Sequence, residues 1–528
     1  MSLDASSGLD VLGIESPGTI GRATKGCQTS QLLPRADCRF LYPLFEALWC
    51  SGNTGMRVLL VMPGFAQPLR YGPGTTLTLP PLGLEYVAAN VEDLAEVRLV
   101  DNRFEPMSSV ENVIQQFRPD YVGISCNLSS QIHHVNRIAE MAKKVAPDST
   151  TVVGGFHPSL VPDETLDSPW IDIVVRREGE ATFRELVQKN SPVGTKGLSY
   201  KRDGHKIHNP DRDLLTMKDL RLPARHLRSR RMGSSYQLFG FPVESVEVSR
   251  GCPYSCRFCC IPVFYGHRYR RRSVPHVMRE LCSEEIQGRA RDVYIVDDNF
   301  TVDESYVSQL CDAIIRERLN MYFTAAVRVD TVAKHPALFE RMARAGFFLV
   351  LLGIESFSDR ALQKLHKQLR FREIKSAIRT LHSLGFIIQG NIILGADPDD
   401  TERDLESTIE TAKTMDIDMP TFSLLTPYPG TDLMDGILAG RSALKLVTKD
   451  WRYYNWFTPT MQYPHLSCEQ LSDALKRAYE EVPFFRNPVL TFLRSASKLG
   501  FAHHLPRLLN RARLRTLPTN LRGILSTL

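Results

Sequence analysis

The feature of this sequence that most restricts its fold is a doubled alternation of branched-residue runs with helical patterns. Between residues 56 and 175 the runs are MRVLLVM, AEVRLV, DYVGIS, TTVVGG and IDIVV, with helical stretches near 82–94, 109–117, 130–145 and 178–189 between or after them. Apolar strands alternating with helices build parallel sheets covered on both faces. An α/β, doubly wound domain of Rossmann or flavodoxin type is therefore predicted over 56–194. A second series runs VEVS (246–249), DVYIVD (292–297), YFTAAV (322–327), FLVLLGI (348–354), IIQGNII (387–393) and TFSLLT (421–426). Six such units predict a partial or complete parallel (β/α)6 barrel over 243–430. Both architectures bind ligands at the carboxyl ends of their strands.

The remaining segments frame these two. Residues 1–55 form a leader, Gly/Ser-rich and then apolar from Leu32 to Trp49. Residues 195–242 read as a connector, with a candidate hairpin in KGLSYKRDGHKIHN and a basic stretch from Arg225 to Arg231. Residues 431–528 are predicted to be mostly helical and to end in a basic tail. From Val482 onward there is no Asp or Glu, while Arg486, Arg494, Lys498, Arg507, Arg511, Arg513, Arg515 and Arg522 interleave with Phe and Leu. That composition suits a terminal cap with a basic solvent face, or an element lying on anionic lipid.

Composition narrows the class. A chain of 528 residues has room for three or four domains. The net charge of +6 does not by itself mark a nucleic-acid binder. Eleven cysteines, an odd number without disulfide-framework spacing, point to a reducing, cytoplasmic setting. Asp4, Asp10 and Glu15 precede no secretory apolar run, and no apolar stretch reaches the roughly 18 residues of a spanning helix.

Four of those cysteines crowd into R-G-C-P-Y-S-C-R-F-C-C, residues 250–260. Cys252, Cys256 and Cys259 form C-x3-C-x2-C. Three thiolates on a [4Fe-4S] cluster leave one iron open to a small molecule. Zinc would need a fourth ligand, for which Cys260 and His267 are the neighbouring candidates. This spacing, on the loop after the first barrel strand, resembles the radical S-adenosylmethionine (SAM) superfamily. The resemblance implies that the open iron chelates SAM and that cluster reduction yields a 5'-deoxyadenosyl radical. It also implies roles for later residues. Phe258 would border the adenine. Asp298 and Asn299 stand where the superfamily often has a Gly-Gly-Glu-like stretch, although the glycines are missing here. Arg328 would meet the SAM carboxylate, and Glu355 the ribose or amine, with an internal salt bridge as the alternative for both. Ile393 would offer a backbone contact to the adenine.

A sheet domain ahead of such a barrel resembles the cobalamin-binding branch of the superfamily. The resemblance is carried by PPLGLEYVAA (80–89), RPDYVGISC (118–126), VVGGFHPSLVP (152–162) and REGEATFREL (177–186). It implies that Ser125, Ser129, Gly154, Gly155, Glu178, Gly179 and Glu180 grip the nucleotide tail and corrin amides, with His157 lining the tail channel or a domain contact. Cobalamin mutases carry Asp-x-His-x-x-Gly after the first strand. Met62-Pro63-Gly64-Phe65-Ala66 stands there instead, which implies cobalt without a protein histidine. Within the branch the sequence looks most like hopanoid C-methylases, through Leu220–Leu227, SRGCPYSCRFC, FYGHRYRRRS (264–273), IVDDNF and TPYPGT. The implied reaction is methylation of an unactivated carbon through methylcobalamin. The partners would be a small-molecule or lipid substrate and an external one-electron reductant such as flavodoxin or ferredoxin, with no nucleic acid. A cyclase or methylase of a porphyrin or another natural-product scaffold, and an RNA-modifying enzyme, are the alternatives.

Overall fold

The computed structural model describes residues 55–64, 77–228 and 235–483. The leader up to residue 54, most of the loop after the first strand and the arginines of the tail lie outside the described residues.

The first sheet contains β1 (Arg57–Met62), β2 (Glu96–Asp101), β3 (Tyr121–Ser125), β4 (Thr150–Gly154) and β5 (Ile173–Val175), all parallel. Its spatial order is β2-β1-β3-β4-β5, so the winding reverses between β1 and β3, where doubly wound sheets bind ligands. The strands are apolar on both faces because helices cover both. Val58 and Leu60 pack into one core, Leu59 and Val61 into the other. The sheet continues beyond residue 194. The predicted hairpin, β6 (Leu198–Arg202) and β7 (His205–His208), adds two antiparallel strands to the β5 edge.

The second sheet is an open series of six parallel strands, β8 (Phe241–Val246), β9 (Asp292–Ile295), β10 (Tyr322–Val327), β11 (Phe347–Glu355), β12 (Ile387–Leu394) and β13 (Met419–Leu424). The first of these differs from the sequence expectation. VEVS marks the end of β8, and the strand proper lies upstream at FPVESV. A one-letter pattern does not separate the two, because Pro242 interrupts the run yet is tolerated near the strand's start. Ser249–Arg250 instead pairs antiparallel with Arg270–Arg271. The cysteine run is therefore an excursion closed at its base, rather than a direct continuation of β8.

The β8 edge is not bare. Gln237–Leu238 and then Leu77–Thr78 extend it antiparallel. Leu77–Thr78 belongs to the long segment after β1, so the first domain's chain completes the second domain's sheet. A buried ion network reinforces the junction. Arg228 forks onto Glu244 at 3.0 and 2.8 Å and lies 2.6 Å from Glu85. Arg225 reaches Glu280 at 2.6 Å, and Arg272 donates to the same carboxylate at 2.5 Å. Three arginines balance three glutamates, all nearly inaccessible to solvent. Pairing is what makes such burial tolerable, since an isolated charge there would cost several kcal/mol. Desolvation still holds the Glu85 carboxyl above its ordinary range, with Arg228 and Arg225 opposing.

Candidate active site

The excursion between Arg250 and Arg270 carries Cys252, Cys256, Cys259 and Cys260, all half-buried. Gly251 opens it with φ +85, and a Cβ there would sit 2.1 Å from the Arg268 carbonyl oxygen, so only glycine fits. The carboxyl end of β9 anchors the opening limb. Asp297 accepts from the Val248 amide at 2.7 Å and the Ser249 hydroxyl at 2.5 Å, and Asp298 accepts from the Gly251 amide at 3.0 Å. Asp298 is exposed as a residue, while protein atoms surround its carboxyl group. Desolvation of the carboxyl raises the pKa of Asp298 to about 6 and that of Asp297 to about 7. Asp297, which the sequence reading did not single out, anchors the loop, and Asp298, which it did, holds the loop's Gly251 amide. Asn299 is buried, its Oδ1 accepting from Thr301 and its Nδ2 without a partner.

Positive charge gathers beside Cys256. The Arg328 guanidinium lies 3.6 Å over the Tyr254 ring, within the cysteine loop. It also pairs with Asp330 at 2.8 Å and donates to the Lys367 carbonyl at 3.0 Å. Lys367 donates to Glu355 at 2.6 Å, and the Cys256 sulfur is near enough to Lys367 and Arg328 to favour their charged forms. Arg328 and Glu355 each have an ion partner inside the chain. Glu355 adopts φ +63 at an irregularity in the β11–β12 pairing. Phe258 packs against the barrel core, and Ile393 is buried near the end of β12. Lys367 and Tyr254 escaped the sequence reading; the signal was a lysine twelve residues beyond Glu355, too distant for any local rule.

These residues fit an iron–sulfur cluster. Three thiols on one loop stand beside two cations that compensate the negative charge of a thiolate-bound cluster. Burial raises the Cys252 and Cys259 thiols, so metal loading must displace their protons. Cys260 is raised by burial to about 11. Among the described residues, no three His, Cys, Asp or Glu side chains converge on a single metal ion.

The first domain presents its strand ends to this loop. Gly155 has φ +116, and a Cβ would meet the Cys126 carbonyl oxygen at 2.6 Å and Asn127 Oδ1 at 2.7 Å, so the loops after β3 and β4 lie in close contact. Gly154 ends β4 beside Val175, Ser125 ends β3, and Gly179 starts a helix where an added Cβ would lie 3.4 Å from Val87. His157 is buried, bonded through Nδ1 to Ser129 at 3.0 Å, and edge-on to Trp451 at 5.1 Å. Burial lowers its pKa to about 4, so it stays neutral. The loop after β1 carries no histidine, but His134 reaches it from the helix Ile132–Val145, with Nε2 2.5 Å from Asn102 Oδ1. Small residues, close backbones and neutral polar groups at the carboxyl ends of β3 and β4 fit a corrin with a buried tail.

Two residues are placed differently from the sequence expectation. Glu178 and Glu180 do not offer free acceptors to a nucleotide tail. Glu178 accepts from Arg250 at 2.7 Å, from Arg270 at 2.9 and 3.0 Å, and from the Leu215 amide at 2.6 Å, while Glu180 accepts from Arg250 at 2.6 Å. A neighbouring Phe156 packs on Phe264 at 4.3 Å, so part of the FYGHRYRRRS loop is a domain contact.

A doubly wound sheet whose strand ends abut a three-thiol loop on a parallel half-barrel is the architecture of an enzyme with two cofactors. Comparisons agree. Residues 75–187 match the B12 binding domain family and residues 246–412 the radical SAM superfamily. An uncharacterized methyltransferase of Pyrococcus horikoshii is 34% identical over 457 residues, 85% of this chain and 95% of that protein. The hopanoid C-3 methylase of Methylococcus capsulatus is 30% identical over 413 residues, 76% of this chain and 75% of that one. The radical SAM methyltransferase TsrM from Kitasatospora setae, solved with cobalamin and a [4Fe-4S] cluster bound, superposes with a TM-score of 0.65 at 17% identity, covering 81% of this chain and 89% of that one. The chain belongs to the cobalamin-binding radical SAM enzymes and is a methyltransferase of that family. Its cofactors are a [4Fe-4S] cluster, SAM and cobalamin.

Proposed function

We propose that this enzyme methylates an unactivated carbon of a hopanoid-like lipid. The supporting observation is the 30% identity to a hopanoid methylase over 413 residues, 76% of this chain. When bound, the cofactors supply a carbon-centred radical oxidant and a methyl donor. The chain's part is to hold them. Cys252, Cys256 and Cys259 would ligate three irons, Arg328 and Lys367 would offset the cluster's charge, and Asp298 would face the bound SAM. Ser125, Ser129, Gly154, Gly155 and His157 would enclose the cobalamin tail, and no protein histidine would bind cobalt. Because a carbon–hydrogen bond is not acidic, rate depends on positioning rather than on a general base. An external one-electron reductant completes the cycle, and the tail gives peripheral membrane contact. No helix among the described residues is long and apolar enough to cross a membrane.

Expression in a host that makes the unmethylated hopanoid, followed by lipid extraction, tests the substrate. A new methylated hopanoid supports the reading, and an unchanged lipid profile with active enzyme overturns it. Methyl transfer also forms S-adenosylhomocysteine and 5'-deoxyadenosine in equal amounts, whereas the cyclase alternative does not require the former.

A further inference from the structure

Arg250 and Arg270 face each other as a register pair at the base of the cysteine excursion. Both donate to one carboxylate, Glu178, which belongs to the other domain and follows β5 of the first sheet. Arg250 carries the greater load. Its three nitrogens reach Glu178 at 2.7 Å, Glu180 at 2.6 Å and Glu247 at 2.8 Å, and its guanidinium lies 5.6 Å from the Tyr86 ring centroid. The arginine is buried at 4% exposure, two residues before the first cluster cysteine. A planar fork with fixed donor directions holds three acceptors at set angles, which a flexible ammonium cannot do.

We infer that this Arg250–Glu178–Arg270 clasp is a positioning device that fixes the distance between the cluster loop and the cobalamin-bearing sheet. The inference rests on the two-domain architecture and not on the lipid substrate. Two independent anchors meet at the loop's base. Asp297 and Asp298 tie it to the barrel, and Glu178 and Glu180 tie it to the first sheet. The barrel anchors alone would keep a cluster in place but would leave its separation from cobalt unspecified. None of the clasp residues needs to touch substrate, SAM or metal.

The test is the spin–spin interaction between reduced cluster and cob(II)alamin in the full-length holoprotein, compared between the native enzyme and the Glu178→Gln/Glu180→Gln variant. The amides keep the shape and remove both charges. Iron and cobalamin contents are expected to remain, while the iron–cobalt distance distribution broadens about two-fold. Arg250→Lys, which keeps the charge and loses the fork, should broaden it less. An unchanged distribution in both variants with both cofactors bound would overturn the inference. Should a variant lose a cofactor, hydrogen exchange of the Val248–Gly251 amides in the folded apoprotein decides. Faster exchange supports the clasp, and native-like exchange refutes it.

Discussion

Substituting Gly251 by alanine isolates the geometry of the cysteine loop from its chemistry. The residue has φ +85, and the added methyl would lie 2.1 Å from the Arg268 carbonyl oxygen, whereas real Cβ contacts essentially never fall under 3.0 Å. Relief therefore needs about 0.9 Å of backbone movement, on top of roughly 1–2 kcal/mol for an L-residue in the left-handed region. The Arg268 side cannot easily yield, because the excursion closes at the Ser249–Arg250/Arg270–Arg271 pair. A misplacement of about 1 Å at a reacting centre can cost about 100-fold in rate. Gly251→Ala should accordingly bind less iron on anaerobic reconstitution and form 5'-deoxyadenosine about 100-fold more slowly per bound cluster. Gly266 supplies the contrast. It lies in the same loop at φ +61 with nothing within 4 Å of its Cβ position, so Gly266→Ala should cost about 1 kcal/mol of stability and little rate. Equal effects of the two substitutions would refute the steric argument.

Further outcomes follow from other parts of the site. Cys256→Ala should abolish the cluster's visible absorption and 5'-deoxyadenosine formation, whereas Cys260→Ala should retain both; a zinc site at these thiols would reverse the iron result. Cob(II)alamin in the enzyme should show no nitrogen superhyperfine splitting in its electron paramagnetic resonance spectrum, and His134→Ala should leave that spectrum unchanged. Glu244→Gln breaks the Arg228 fork inside the domain junction, and chemical denaturation should show a loss of about 3 kcal/mol, because the buried Arg228 loses one of its two carboxylate partners and keeps only Glu85. His157 titrates near 4 when folded and near 6.5 when unfolded. The unfolded chain binds its proton first, so the contribution is full above about pH 6.5 and is lost as pH falls toward 4, amounting to about 3 kcal/mol. His157→Asn should flatten the stability profile across that window.

Much of this protein was legible one residue at a time. Strand and helix alternation depends on local apolar periodicity, which is why YFTAAV and the first five strands fall where the pattern puts them. The cluster ligands were legible because a three-thiol spacing on one loop is a local property. The offset of β8 was not, since whether VEVS or FPVESV enters the sheet depends on which backbone groups find partners on β9.

What the sequence determined alone is the inventory: two α/β units, three thiols, and a first loop without histidine. What tertiary structure decided is the use of charged residues whose partners are distant in the chain. Arg225 and Arg228 read as part of a basic stretch in the connector and are buried against Glu244, Glu280 and Glu85. Glu178 and Glu180 read as cofactor contacts, yet they hold Arg250 from about 70 residues away. An ion pair carries no sequence periodicity, because its energy depends on burial and on distance in space, and only the folded chain fixes those.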